Sequence, residues 1–234
     1  MENFSINELL KNKKSEPRLL EKMKDVVLNP ESLINKETEI IYDVYREVKK
    51  DNNLRFDITI LHPGKLENEL SKTYGHYHKN GAVEIMEAVD GPVWWLLQRY
   101  ESDPRNITEA YLVHANEGEK VVFPPDFGAI SINPEKKPVV MSNWVNIEIK
   151  SDYEPYTNLH GACYYLSDKK PNFIKNGNYK KVPELIQLIP NKIPELKIMF
   201  DKPLIDYKPE QLDFLNNPQK YKNLLTIKKC YKKK

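Results

Sequence analysis

The chain has 234 residues, 40% of them apolar and 30% charged, with a mean hydropathy of −0.66. That apolar share suffices for one sizeable core and excludes a chain disordered throughout. Lys and Arg number 36 against 34 Asp and Glu, a net charge near +2, so nothing in the balance calls for nucleic acid or an anionic membrane.

Residues 1–37 read as a charged amphipathic lead-in. Leu9, Leu10, Leu19, Leu20, Met23 and Val27 are spaced loosely like helix faces, and Asn29-Pro30 stops the pattern. A helical arm is therefore expected there. The start shows no apolar core followed by a small-residue cleavage site, so no signal peptide is expected. From Ile40 the texture turns β-branched and aromatic. Short strands are expected at 40–48, 56–61, 83–89, 93–98, 110–114, 120–123, 129–133, 138–141 and 144–149, separated by turn chemistry such as His62-Pro63-Gly64, Asp90-Gly91 and Pro124-Pro125. Strands about 8–15 residues apart argue for an antiparallel sandwich or barrel rather than βαβ units. Trp94 and Trp95 are adjacent, so one should face in and the other out. The most apolar window, Val93-Trp94-Trp95-Leu96-Leu97, is far too short to cross a bilayer.

Beyond about residue 170, Pro171, Pro183, Pro190, Pro194, Pro203, Pro209 and Pro218 punctuate a Lys-rich stretch. Repeated proline prevents long helices and central strands, leaving short helices as candidates at 183–189 and 209–216. The basic tail 228–234 reads as solvated. Cys163 and Cys230, far apart in sequence, form no disulfide framework, and a reducing cytoplasm fits them best. The expected organisation is an arm (1–37), a β-barrel (38–170) and a C-terminal extension (171–234).

The informative stretch is Lys72-Thr73-Tyr74-Gly75-His76-Tyr77-His78-Lys79-Asn80-Gly81-Ala82-Val83-Glu84. His76 and His78 stand at i and i+2, which on a strand points both to one face. A loop through Lys79-Asn80-Gly81 can bring Glu84 back beside them. Two imidazoles and one carboxylate can hold a first-row divalent metal and leave positions open for substrate. The plainer reading is two surface histidines and a solvated acid. Glu87, three residues on, is expected as a surface acid.

Gly-His-x-His followed by Glu, then Gly91, Leu96-Leu97-Gln98 and Pro124-Pro125, resembles the cupin signature. The closer resemblance is to the archaeal-type cupin glucose-6-phosphate isomerases, carried by Ile41-Tyr42-Asp43-Val44-Tyr45, by 59–65 (Thr-Ile-Leu-His-Pro-Gly-Lys) and by 72–78, and running from about residue 39 to about 153. It implies a mainly β fold, a cupin-type antiparallel jelly-roll barrel, with the arm and the extension outside. It implies a metal-dependent isomerase of glycolysis and gluconeogenesis that interconverts glucose 6-phosphate and fructose 6-phosphate, a cytoplasmic homodimer. His76, His78 and Glu84 would ligate one divalent ion (Fe, Mn, Ni or Zn), and Glu84 would also carry the proton between C1 and C2. Thr59, Thr73 and the backbone N–H of Gly75 would cradle the phosphate, as hydroxyls and free N–H groups suit a dianion. Tyr42 and Tyr153 would lie near the sugar. Lys72 is a weaker candidate for the phosphate, since on a strand it can point away from Thr73.

Three positions depart from the family pattern. Ala129 stands four residues after Pro125, where the family has a fourth ligand, a histidine. Met86 replaces a tyrosine and Ser151 a histidine. Asp126 or His114 can replace the lost ligand, three ligands and water can suffice, or the chain is a degenerate, non-catalytic cupin that binds a sugar phosphate or acts as an interaction or regulatory protein.

Overall fold

The computed structural model describes residues 6–169 and 172–234. The first residues of the expected arm and the expected boundary at 170/171 lie outside the described residues. In chain order the strands are β1 (Glu16–Leu19), β2 (Ile40–Asp51), β3 (Leu54–Leu61), β4 (His76–His78), β5 (Glu84–Asp90), β6 (Val93–Tyr100), β7 (Ile107–Ala115), β8 (Lys120–Phe123), β9 (Gly128–Ile132), β10 (Val139–Asn146), β11 (Ser151–Asp152), β12 (Tyr164–Leu166), β13 (Phe173–Lys175), β14 (Ile186–Pro190) and β15 (Tyr231–Lys233). One sheet has the order β1-β2-β3-β10-β5-β8 and the other β11-β4-β9-β6-β7-β14-β15, with β12 and β13 paired apart. The barrel pairings are antiparallel, and the connections cross between sheets as in a cupin-type jelly roll.

Alternation explains why these sheets close on one core. Along β6, Trp95 is fully buried, its Nε1 donating to Ser131 Oγ at 2.9 Å, whereas Trp94 is half-buried on the other face against His114. Along β3, Leu54, Phe56, Ile58 and Leu61 are buried. Arg55, Asp57 and Thr59, at the intervening positions, line a cavity between the sheets.

Several expectations are corrected. The lead-in carries one short helix, α1 (Ile6–Leu10), but its middle is β1, an edge strand paired with β2. Leu20, Met23 and Val26 behind it are fully buried, so this segment is part of the core rather than an outer arm. The loose leucine spacing served packing of extended chain and 3-10 turns. The pieces 138–141 and 144–149 are one strand to Asn146, because Ser142 and Asn143, polar residues that resemble a turn, pair with β3 and β5. Residues 186–190 form a strand rather than a helix. The open edge of β7 accepts β14 in parallel, and β15 then pairs with β14. Residues 209–216 do form a 3-10 turn and a short helix, α2 (Asp213–Asn216).

Lys72 is buried away from the cavity. Its Nζ donates to the Val26 carbonyl at 2.7 Å and pairs with Glu69, whose other oxygen accepts the Leu28 N–H at 2.9 Å. Glu87 is likewise no surface acid. It is buried against Lys120 at 2.9 Å and accepts the Leu204 N–H at 2.8 Å. One buried ion pair thus ties in the N-terminal segment and another the C-terminal one.

Gly75 is a backbone position with little freedom. Its φ is +88°, and a methyl group there would stand 2.3 Å from Ile130 Cγ2 and 2.7 Å from the Tyr156 ring. Gly75→Ala should therefore lose roughly 2–4 kcal/mol from left-handed strain plus overpacking. Thermal denaturation checks this, and a loss under about 1 kcal/mol would contradict the close approach.

His114 lies on the outer face of the second sheet, 3.0 Å from Gln187 Oε1 and 3.3 Å from Lys234 Nζ. Burial, then the Lys234 charge, lower its pKa to about 4. The unfolded chain takes up this proton near pH 6.5 and the folded chain does not until about pH 4, so stability drains away as pH falls through that window. In His114→Gln the fall in melting temperature between pH 6.5 and 4 should be shallower than in the parent.

Candidate active site

The cavity between the sheets has a volume of about 400 Å³. Its floor is built by four strands of the first sheet, whose alternate residues project inward: Tyr42, Val44 and Arg46 from β2; Arg55, Asp57 and Thr59 from β3; Met141, Asn143 and Val145 from β10; Glu84 and Met86 from β5. The opposite wall is the stretch from Thr73 to His78, with Ala129 and Ser131 from β9 and Ser151 and Tyr153 at one end.

His76 and His78 share a face of β4 as their spacing requires. Their Nε2 atoms are 2.9 Å apart, and His78 Nε2 is 3.4 Å from Glu84 Oε2. A turn at 79–81 makes this possible. Asn80 and Gly81 both sit at positive φ, near 61° and 65°, and reverse the chain so that the buried Val83 anchors β5 with Glu84 turned inward. One donor atom from each of His76, His78 and Glu84 lies within 4.8 Å of the others.

Burial sets the charge states of the three donor groups in the metal-free site. Burial, then Arg46, lowers the His76 pKa to about 4; burial, then His76, lowers that of His78 to about 3. Both imidazoles are neutral at pH 7 and offer lone pairs. Burial, then the Asp57 charge, raises Glu84 to about 8. Two imidazoles and a carboxylate form a borderline N/O donor set that fits a first-row divalent ion.

Thr59, Thr73, Gly75, Tyr42 and Tyr153 all line the same cavity. Thr73 Oγ1 accepts the Ser131 N–H at 2.9 Å, which leaves its own proton free to donate. The Tyr153 ring packs against His76 at a tilt of 45°, with centroids 5.3 Å apart. The three departures also fall here. Ala129 lies directly across from His76 in the β4–β9 register, Ser151 across from His78, and Met86 on the floor. Neither suggested substitute reaches the site. His114 is engaged on the outer face, and Asp126 lines a surface depression that shares His78 with the cavity but lies outside the His76–His78–Glu84 donor cluster.

Six charged residues that line the cavity, Glu16, Arg18, Lys22, Arg46, Arg55 and Asp57, are not singled out by the sequence. Asp57, 2% exposed, accepts Arg55 Nε at 2.9 Å and the Glu47 N–H at 2.9 Å, and stands 3.5 Å from Arg46 Nη1. Arg55 and Asp57 precede Thr59 by four and two residues, so extending the alternation that singled out Thr59 would have found both. Arg18 reaches the cavity from β1, where no strand was expected.

Residues 18–184, well over half of the chain, match the glucose-6-phosphate isomerase (GPI) family. The chain belongs to that family. Among curated glucose-6-phosphate isomerases, that of Thermococcus litoralis is 30% identical over 151 residues, covering 62% of this chain and 76% of the relative. That of Pyrococcus abyssi is 34% identical over 129 residues, covering 53% and 65%. The chain thus spans about two thirds to three quarters of the length of these relatives. Of solved structures, an oxalate decarboxylase from Lactobacillus farciminis aligns with a TM-score of 0.38 and 17% identity over 48% of this chain and 30% of that one. Membership in the isomerase family rests on the sequence matches. No helix among the described residues is long and apolar enough to cross a membrane.

Proposed function

We infer that this chain interconverts glucose 6-phosphate and fructose 6-phosphate with the help of one divalent metal ion. The observation that carries the reading is the His76–His78–Glu84 donor set sharing one cavity with Thr59, Thr73 and the Gly75 backbone. Isomerisation between C1 and C2 needs a base near the operating pH and stabilisation of an enediolate. His76, His78 and Glu84 would hold the divalent ion, which as a Lewis acid would supply that stabilisation.

The chain's own residues do the rest. The two threonines and the Gly75 N–H bind the phosphate and set the register of the sugar. Glu84 takes the proton from C2 of the aldose and returns it to C1 while the hydroxyl proton passes from O2 to O1, and the reverse reaction retraces the path. In the metal-free site burial holds the Glu84 pKa above its ordinary value. Tyr42 and Tyr153 flank the sugar. The same reading includes a cytoplasmic homodimer, with Fe, Mn, Ni and Zn as the candidate metals.

The test is an assay of fructose 6-phosphate conversion by metal-free protein, then with Mn²⁺, Fe²⁺, Ni²⁺ and Zn²⁺ added singly. Metal-dependent turnover supports the reading, and no turnover with any ion overturns it. A second reading draws on the apolar or shortened side chains of Ala129, Met86 and Ser151 around the cavity. In that case the chain binds a sugar phosphate without converting it, and calorimetry would show binding with no turnover.

A further inference from the structure

The cradle assigned above to the phosphate consists of neutral donors, two hydroxyls and one backbone N–H. A phosphate dianion in a partly buried cavity calls for positive charge as well. The cations nearest in sequence are unsuitable. Lys72, beside Thr73, is turned away onto Glu69. Arg55 and Arg46 are engaged on Asp57, and Arg46 also on Glu16 at 2.9 Å.

Arg18 is different. The chain has five arginines, at 18, 46, 55, 99 and 105. Four of them pair with carboxylates: Arg46 and Arg55 as above, Arg99 with Glu109 and Arg105 with Asp103. Among the described residues, Arg18 alone of the five has no carboxylate within ion-pair distance. Its partners are neutral. Nε donates to the Tyr42 hydroxyl at 3.1 Å, and the guanidinium lies 5.8 Å from the Tyr42 ring and 5.6 Å from the Tyr74 ring. The same side chain lines the cavity that holds Thr59, Thr73 and Gly75. Lys22 lines it too, but its amine is paired with Glu21 at 3.2 Å.

We propose that Arg18 is the cationic clamp for the substrate's phosphate, carried to the cavity by the N-terminal edge strand. The two flanking rings and the Tyr42 hydroxyl hold the guanidinium plane. They engage its face and Nε and leave the Nη donors for a bidentate contact with phosphate oxygens. The register places it at the right end of the cavity. Arg18 pairs with Tyr42 across β1 and β2, and Val44, two residues on, pairs with Thr59 across β2 and β3. Tyr74 sits between Thr73 and Gly75 in the chain. The segment is anchored from behind by Leu20, Met23 and Val26 and by the Glu69 and Lys72 bonds to Leu28 and Val26, so the clamp is in position before the ligand arrives. The ligand class is a phosphate monoester of a small polyol or sugar, and the inference rests on the isomerase reading of the same cavity.

Calorimetry with glucitol 6-phosphate, an open-chain phosphate monoester, and with glucitol as its uncharged counterpart tests this independently of turnover. In Arg18→Met the dissociation constant for glucitol 6-phosphate should rise about 10–100-fold, the scale of a lost charge-assisted contact. Arg18→Lys keeps the charge but loses the fork and should fall between Met and the parent. If fructose 6-phosphate is turned over, KM should rise by a similar factor while kcat moves less than about threefold, because the phosphate is bound equally in ground and transition states. Melting temperatures of both variants within a few degrees of the parent show that the edge strand still docks. Should Arg18→Met destabilise the fold, the same comparison made with Arg18→Lys alone decides. Parent protein that binds glucitol 6-phosphate with an affinity Arg18→Met and Arg18→Lys leave unchanged within twofold overturns the clamp and spares the isomerase reading. Parent protein that binds no phosphate monoester overturns both.

Discussion

His76→Ala should lower metal affinity by about three orders of magnitude and abolish metal-dependent turnover, because among the described residues the set has three donors and no fourth to compensate. Metal retained after dialysis and calorimetric titration measure the first effect, and fructose 6-phosphate conversion the second. The reciprocal change is Ala129→His. Ala129 is the direct cross-strand neighbour of His76 and lines the cavity. Side chains so placed have Cβ atoms about 4.5–5.5 Å apart, close enough for an imidazole there to join the set. Metal affinity should rise by about ten- to a hundred-fold in that variant, the scale on which single groups around a metal site act. Unchanged affinity in both variants would show that these residues do not hold the ion.

The second large effect is on stability. Glu87 and Lys120 are 6% and 3% exposed, so removing either partner leaves a charge buried without its counter-ion. Lys120→Met should lose roughly 3–5 kcal/mol, whereas replacing both residues by methionine should recover most of that loss, since a pair removed together leaves no orphan. Urea denaturation of the two single variants and the double variant measures the cycle. The effect has a location as well. Lys120 Nζ also donates to the carbonyls of Gly118 and Phe200, and Glu87 accepts the Leu204 N–H, so the pair fastens the C-terminal segment to β5 and β8. Proteolysis near residues 199–204 should therefore accelerate in Lys120→Met before the barrel itself is cut. A loss below about 1 kcal/mol would show the pair to be ornamental to that attachment.

The parts legible in the sequence were those written in local periodicity. The i, i+2 spacing of His76 and His78 is a property of any strand, and the Asn80-Gly81 turn that returns Glu84 announces itself by residues that tolerate positive φ. Trp94 and Trp95 divided as alternation requires. The same rule, carried two and four residues upstream of Thr59, leads to Asp57 and Arg55, and it was stopped short. Ser142 and Asn143 misled because polar residues inside a strand look like a turn, when in fact Asn143 faces a polar cavity and Ser142 lies within hydrogen-bonding reach of Glu87.

What the sequence by itself determined is the barrel, the meeting of His76, His78 and Glu84 and the chain's place in the isomerase family, since each is encoded in spacings of a few residues and in turn chemistry. Tertiary structure alone decided the fate of the long-range charges and of both ends of the chain. Glu87 meets Lys120, and Lys72 turns to Glu69, because burial forces each charge to find a partner wherever the packing brings one. Residues 186–190 became a strand because β7 had an open edge, which no local pattern records. Arg18 arrived at the cavity because β1 pairs with β2 across twenty intervening residues, a contact set by the whole sheet rather than by any segment of it.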